Sequence, residues 1–322
     1  MKVDIIIPTY KPDDTFCLLL HKLQEQTFVV HRLILLNTEE DLWHAAVERF
    51  PIKEALASFE GRYTLLHVKK EDFDHGGTRS MGVEQSDGDV VMFMTQDAVP
   101  ADAYLVEHLV RSLDSAEDGE GTVAVAYARQ LPNEDCGIVE RYTRQFNYPD
   151  ESRRKSKADI KTMGIKTFFC SDVCAAYRRD LFVKLGGFVT PAIFNEDMFY
   201  AAKAVDAGYV VEYVADANVI HSHNYTMVQQ FHRNFDLAVS QADHPEIFEQ
   251  VSSEAEGMKL VKSTMKYLCQ IGKPYLIWNL FWQCVGKYAG YFMGKRYRKL
   301  SRKRILKYTM SPDYWKRIWN EE

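Results

Sequence analysis

The sequence predicts an α/β protein: a mixed, mainly parallel sheet flanked by helices, followed by a helical C-terminal extension. Three observations carry that expectation. Short apolar runs alternate with amphipathic segments through the first hundred residues. The runs offer no polar face to water, as strands covered by helices on both sides must not. From about Met258 the pattern changes to long helical segments that end in a basic stretch.

Val3 to Ile7 is a β-branched run closed by Pro8, and Thr15 to Gln26 has the spacing of an amphipathic helix. Arg32 to Leu36 reads as a second strand, Leu42 to Phe59 as a helix, and Tyr63 to Val68 as a third strand. Arg79 to Ser86 is a short helix, and VVMFMT (90–95) is the fourth strand. Thr122 to Ala128 and Phe168 to Tyr177 follow as strands, with a polar loop at 147–161 between them. Arg179 to Leu185 and Asp197 to Ala207 are helical in pattern, and Tyr209 to Val214 is a late strand. Met258 to Gln270 and Tyr275 to Met293 are helices. The second is apolar almost all round, but Asn279, Gln283 and Lys287 argue against a membrane span. These features divide the chain at 1–245 and 246–322.

The net charge of -5 gives no reason to expect a nucleic-acid partner. None of the six cysteines forms a CxxC pair, so neither a zinc ribbon nor a thioredoxin-like site is indicated. The N-terminus MKVDIIIPTY enters a strand directly without an apolar signal segment, and the expected location is cytoplasmic.

The residues with chemical potential lie at strand ends. Pro8, Thr9 and Tyr10 close the first strand with a hydroxyl and an aromatic ring suited to a nucleobase. FDHGGTRSMG (73–82) follows the third strand. Gly76 and Gly77 there let a ligand approach the backbone, and Arg79 near a helix start suits phosphate. The fourth strand ends on Gln96 and Asp97, and a carboxylate at that lip is placed for ligand contact or for a turn and cap. Glu196 and Asp197 precede a helix, as caps or with Asp197 as a general base. His221 and His223 alternate along an extended segment and point the same way, as metal ligands or as structural residues.

In that order, IIIPTY, FDHGGTRSMG, TQDAVP, GGF, NEDMFYAAKAVDAGY and HSHNYT resemble the family 2 glycosyltransferases over roughly residues 1 to 240. More narrowly, the chain resembles the bacterial rhamnosyltransferases of cell-surface polysaccharide synthesis. The resemblance implies the GT-A fold and a nucleotide-diphospho-sugar site built from Pro8, Thr9, Tyr10, Asp74, His75, Gly76, Arg79, Gln96 and Asp97. The acid that usually contacts the base has no direct match in LLNTEED, where Asn37 and Glu39 are its substitutes. Asp97 matches the last aspartate of the Asp-x-Asp motif, with Thr95 and Gln96 in its first two places. Asp97 with His221 or His223 would then hold Mg²⁺ or Mn²⁺. Asp197 matches the catalytic base, and Glu196 orients the site or binds the acceptor. Gly186, Gly187 and Phe188 shape the acceptor side. The implied donor is dTDP-L-rhamnose, and the implied reaction inverts the anomeric centre. A UDP-hexose donor and a non-catalytic sugar-nucleotide-binding scaffold are the alternatives.

KRYRKLSRKRILK (295–307) contains no acid. Beside aromatic-rich helices it suits an anionic membrane surface, where a lipid-linked glycan acceptor would be met.

Overall fold

The computed structural model describes residues 1–114, 121–248 and 254–321. Its sheet is formed by β1 (Val3–Thr9), β2 (Arg32–Thr38), β3 (Tyr63–Val68), β4 (Val90–Met94), β5 (Val99–Pro100), β6 (Val123–Leu131), β7 (Arg153–Lys155), β8 (Cys174–Arg178) and β9 (Val210–Ile220). The strand order is β3-β2-β1-β4-β8-β6-β9-β5, with β7 alongside β9. Strands β1 to β4 pair in parallel, and so do β6 and β9. β8 runs antiparallel between β4 and β6.

The apolar strands serve two cores at once, because successive side chains point to opposite faces. Ile5, Ile7, Leu33, Leu35, Met92 and Met94 face one core. Ile6, Ile34, Leu36, Val91 and Phe93 face the other. Phe188 belongs to this second core, where its ring packs against Phe93, Tyr177 and Phe182. It therefore supports the sheet and does not shape an acceptor surface.

Several elements differ from the sequence expectation for identifiable reasons. The helix expected over 42–59 is divided into Glu40–Arg49 and Ile52–Leu56, because Pro51 forces Phe50 into extended backbone. The strand expected over 168–177 begins only at Cys174, which pairs with Met94, the last residue of β4. The 147–161 stretch is more than a loop, since β7 lies in it and pairs with β9. The helix expected from Arg79 begins at His75. Asp74 is its N-cap and accepts a hydrogen bond from the Gly77 N–H at 2.7 Å. Arg79 thus sits a full turn inside the helix.

The C-terminal helices pack mainly on other helices. Helix Leu276–Gly294 lies against helix Met227–Asp243 along Gly286, Gly290 and Gly294. A Cβ on Gly286 would stand 2.5 Å from the Met227 carbonyl oxygen, and Gly290 and Gly294 approach the Phe231 and Phe235 carbonyls still more closely. Only glycine admits backbones this close. Helix Pro312–Glu321 then returns toward the carboxyl ends of the strands and seats Trp315 in a small core with Ile193, Phe235, Val239 and Ile305. Among the described residues, no helix is long and apolar enough to cross a membrane.

Candidate active site

The carboxyl ends of β1, β2 and β4 open into a cavity of about 330 Å³. Pro8, Thr9, Tyr10 and Thr38 line it from the first two strands, and Thr95 and Gln96 from β4. Lys70, Phe73, Asp74, His75 and Arg79 line it from the segment after β3. This is the crevice in which open α/β sheets take ligands.

Gln96 ties two strand ends together. Its amide oxygen accepts from the Tyr10 N–H at 2.8 Å, and its amide nitrogen donates to the Tyr10 carbonyl at 3.0 Å. Asn37 and Glu39 are not on the cavity wall. Asn37 is fully buried below it, within hydrogen-bond reach of Thr9 Oγ1 at 3.2 Å and His67 Nδ1 at 3.1 Å. The Glu39 carboxylate accepts from the Lys70 backbone N–H. Asn37 supports the cavity from behind, because its polar atoms face internal partners, and Glu39 braces the backbone of Lys70 on the cavity wall. Gly76 and Gly77 also serve an internal approach: a Cβ on Gly76 would strike the Val189 carbonyl, and one on Gly77 would lie 2.6 Å from Asp74 Oδ2.

Asp97 occupies the turn between β4 and β5, closed by the Ala98 N–H on the Thr95 carbonyl at 3.1 Å. Because Val99 pairs with Ile220 of β9, the turn carries Asp97 to the histidines that follow that strand. Asp97 Oδ2 lies 3.5 Å from His221 Nε2 and 3.3 Å from His223 Nε2. Burial alone would raise the Asp97 carboxyl, but the hydrogen bond and positive charge of a protonated His221 outweigh it and hold the group well below the usual carboxylate range. Burial, reinforced by His221, lowers His223 to about 4.

Gln130, on β6, sets the direction of His221. Its Oε1 accepts from Arg144, which has no acceptor of its own, and faces His221 Nδ1 at 3.0 Å. His221 must therefore donate through Nδ1, and a neutral ring turns the Nε2 lone pair toward Asp97. Two acceptors facing one another favour a cation between them. The ligand atoms of Asp97, His221 and His223 lie within 4.8 Å of one another, so the donor set fits a divalent ion.

The second acidic group forms where β8 approaches the end of β4. The Thr95 N–H donates to the Val173 carbonyl at 3.1 Å, which brings Asp172 to the same lip. Asp172 is buried and accepts from the Tyr177 hydroxyl at 2.6 Å. Its backbone N–H donates to Asp197 Oδ2 at 3.2 Å, and the Met198 N–H donates to Asp197 Oδ1 at 2.7 Å. Glu196 is buried with Arg79, Nη1 to Oε1 at 3.0 Å, and Arg79 Nε stands 3.6 Å from Asp172 Oδ2. One guanidinium thus pairs with two carboxylates, and its charge also acts on Asp197. Burial, and then the Glu196 charge, push the Asp197 carboxyl up to about 7. Burial likewise raises Asp172 well above its ordinary value and lowers His75.

The two acidic groups are joined through Gln130, whose Nε2 donates to Ser171 Oγ at 2.9 Å, one residue before Asp172. Asp172, Gln130 and Lys70 escaped sequence reasoning. Asp172 sits in SDVC, between an apolar run and a strand, and nothing in that spacing separates it from a turn aspartate.

Residues 4–186 match the family model for glycosyl transferase family 2. The chain is 36% identical over 320 residues to the O-antigen chain rhamnosyltransferase RfbN of Salmonella typhimurium, covering 99% of this chain and 97% of that protein. The chain belongs to glycosyltransferase family 2. The transferase is also 34% identical over 323 residues to the O-antigen chain rhamnosyltransferase WbaN of Salmonella anatum, covering 98% and 96% of the two chains. Among solved structures, it resembles the mannosyltransferase PcManGT of Pyrobaculum calidifontis in complex with GDP-Man and Mn²⁺, with a TM-score of 0.55 at 16% identity, covering 100% of this chain and 88% of that one. It also resembles S. aureus TarS 1-349 in complex with UDP-GlcNAc, with a TM-score of 0.50 at 14% identity, covering 93% and 92%. These likenesses show the GT-A fold expected from the sequence.

Proposed function

We propose that the transferase moves L-rhamnose from dTDP-L-rhamnose to a lipid-linked or polysaccharide acceptor in bacterial cell-surface glycan synthesis, with inversion. The donor and the setting rest on the near-full-length likeness to two proteins named as O-antigen rhamnosyltransferases. The carrying observation for the chemistry is Asp197: a half-buried carboxyl, raised to about 7, at the lip that also bears Asp97.

In this reading the cavity takes the nucleotide, with Pro8, Thr9 and Tyr10 beside the nucleoside. Asp97, His221 and His223 hold Mg²⁺ or Mn²⁺, which supplies charge neutralisation to the departing diphosphate. Asp197 removes the proton from the acceptor hydroxyl. That oxygen forms the new bond to the anomeric carbon as the carbon–oxygen bond to phosphate breaks, and the electron pair leaves with the diphosphate. Glu196 acts through Arg79: the pair holds the guanidinium in place and keeps negative charge beside Asp197. Asp172 fixes the Asp197 carboxylate through its backbone N–H.

The reading includes peripheral attachment to the inner face of the plasma membrane. Trp278, Phe281, Trp282, Tyr288 and Phe292 are exposed along one side of helix Leu276–Gly294, and Arg296 stacks 3.7 Å from the Phe292 ring centroid at its basic end. Aromatic rings beside cations suit an anionic interface. On this view residues 1–245 carry the chemistry and 246–322 the attachment.

The test is release of nucleoside diphosphate from a panel of dTDP- and UDP-sugars, with Mn²⁺ or with EDTA, in the presence of a lipid-linked acceptor. Metal-dependent release from dTDP-L-rhamnose is expected. Release from a UDP-hexose alone would overturn the donor assignment.

A further inference from the structure

The cavity at the carboxyl ends of the strands has a wall that the family match over residues 4–186 does not reach. Met310, Ser311, Pro312, Asp313 and Tyr314 line it together with the strand ends. These residues open the helix Pro312–Glu321, more than three hundred residues along the chain from Thr9.

Four anchors hold this segment. The buried Asp236 carboxylate accepts from Thr309 Oγ1 and from the Met310 N–H, both at 2.7 Å. Lys70 Nζ stands 3.3 Å from Asp313 Oδ2. Arg317 reaches Asp74 Oδ2 at 3.0 Å and the Asp72 carbonyl at 2.6 Å. Trp315 is buried against Phe235 and Ile193. Two of these anchors, Lys70 and Asp74, themselves line the cavity. Asp74 also accepts from the Ala192 N–H at 3.2 Å, so Arg317 is coupled to the segment that leads into Glu196 and Asp197.

A wall fixed by a buried carboxylate, two ion pairs and a tryptophan is a built surface. Met310, Pro312 and Tyr314 give it apolar area, and Ser311 adds a small polar side chain. That composition suits a nucleoside, which needs flat apolar contact and few polar partners.

We propose that residues Met310–Tyr314 complete the nucleoside diphosphate site of this transferase, and that Arg317 positions them by acting through Asp74. The C-terminal extension then belongs to the donor site as well as to the membrane-facing surface. The proposal rests on the reading of the cavity as the donor site.

The test is calorimetric binding of dTDP and UDP, with Mn²⁺, to the full-length wild type, Ser311→Trp and Arg317→Ala, each checked for an unchanged melting transition. Ser311→Trp places a large ring in the cavity and is expected to weaken nucleotide binding by about tenfold or more, the effect of losing one or two good contacts. Arg317→Ala is expected to raise donor KM more than it lowers kcat, which a purely structural role would not separate. If the wild type binds nucleotide and a folded Ser311→Trp binds it equally well, the proposal falls while the donor-site reading stands. If the wild type binds neither dTDP nor UDP, the donor-site reading falls and takes the proposal with it.

Discussion

Gln130 Oε1 lies 3.0 Å from His221 Nδ1, and this contact determines which histidine nitrogen faces Asp97. The amide cannot be turned round, because Arg144 donates to the same oxygen while Nε2 donates to Tyr148 and Ser171. The direction of the His221 ring is thus fixed from behind, by a residue on a neighbouring strand.

Gln130→Leu should therefore weaken Mn²⁺ binding by about 10–100-fold, the usual consequence of removing the group that orients a histidine ligand. Mn²⁺ titration followed by electron paramagnetic resonance would measure this without any substrate. An unchanged affinity would mean that Gln130 does not orient the ligand.

The raised Asp197 carboxyl gives a pH dependence of definite sign. A base acts only when ionised, and burial with the Glu196 charge places that ionisation near 7. Below that value kcat/KM should fall by about tenfold per pH unit, and above it the rate should level off. Glu196→Gln removes a neighbouring negative charge and should move the acid limb to lower pH. A limb that stays in place would show that another group controls it.

The glycine seam between the two long C-terminal helices should tolerate no side chain. Gly290→Val would drive methyl groups into the Phe231 carbonyl. The expected cost is about 1–3 kcal/mol, as for other overpacked sites. A lowered urea midpoint at constant slope would report it. Full retention of stability would mean that the helices separate freely.

Substituting Trp278, Phe281 and Trp282 together by serine should reduce binding to vesicles rich in anionic lipid. These rings are 67%, 50% and 44% exposed, so their loss removes little internal packing. Co-sedimentation with phosphatidylglycerol vesicles is the measurement. Equal partition of the variant and the wild type would remove the membrane role from this face. Deleting residues 258–322 is a poorer probe, because it also removes Trp315 from its core and Met310–Tyr314 from the cavity.

Strand positions were legible because each apolar run must fill two cores, and that requirement leaves few polar residues between Val3 and Ile7 or Val90 and Met94. The motif residues at strand ends were legible for a related reason: Thr9, Gln96 and Asp97 interrupt apolar runs at the carboxyl lip. What the sequence did not reveal depends on contacts across long separations. Asp172 becomes part of the acidic group only because β8 pairs antiparallel with β4. Arg317 meets Asp74 across 243 residues, and no local pattern encodes that meeting. Asn37 and Glu39 were in the right region, but Asn37 is buried with internal hydrogen bonds and Glu39 is engaged by the Lys70 backbone N–H.

The most direct test of the proposed chemistry is single-turnover transfer by Asp197→Asn from dTDP-L-rhamnose to a lipid-linked acceptor, beside nucleotide binding by the same protein. The expected result is a fall in the rate of about 10²–10⁴-fold, as for loss of a general base, with dTDP affinity unchanged. A variant that transfers sugar at the wild-type rate would contradict the assignment of Asp197 as the base.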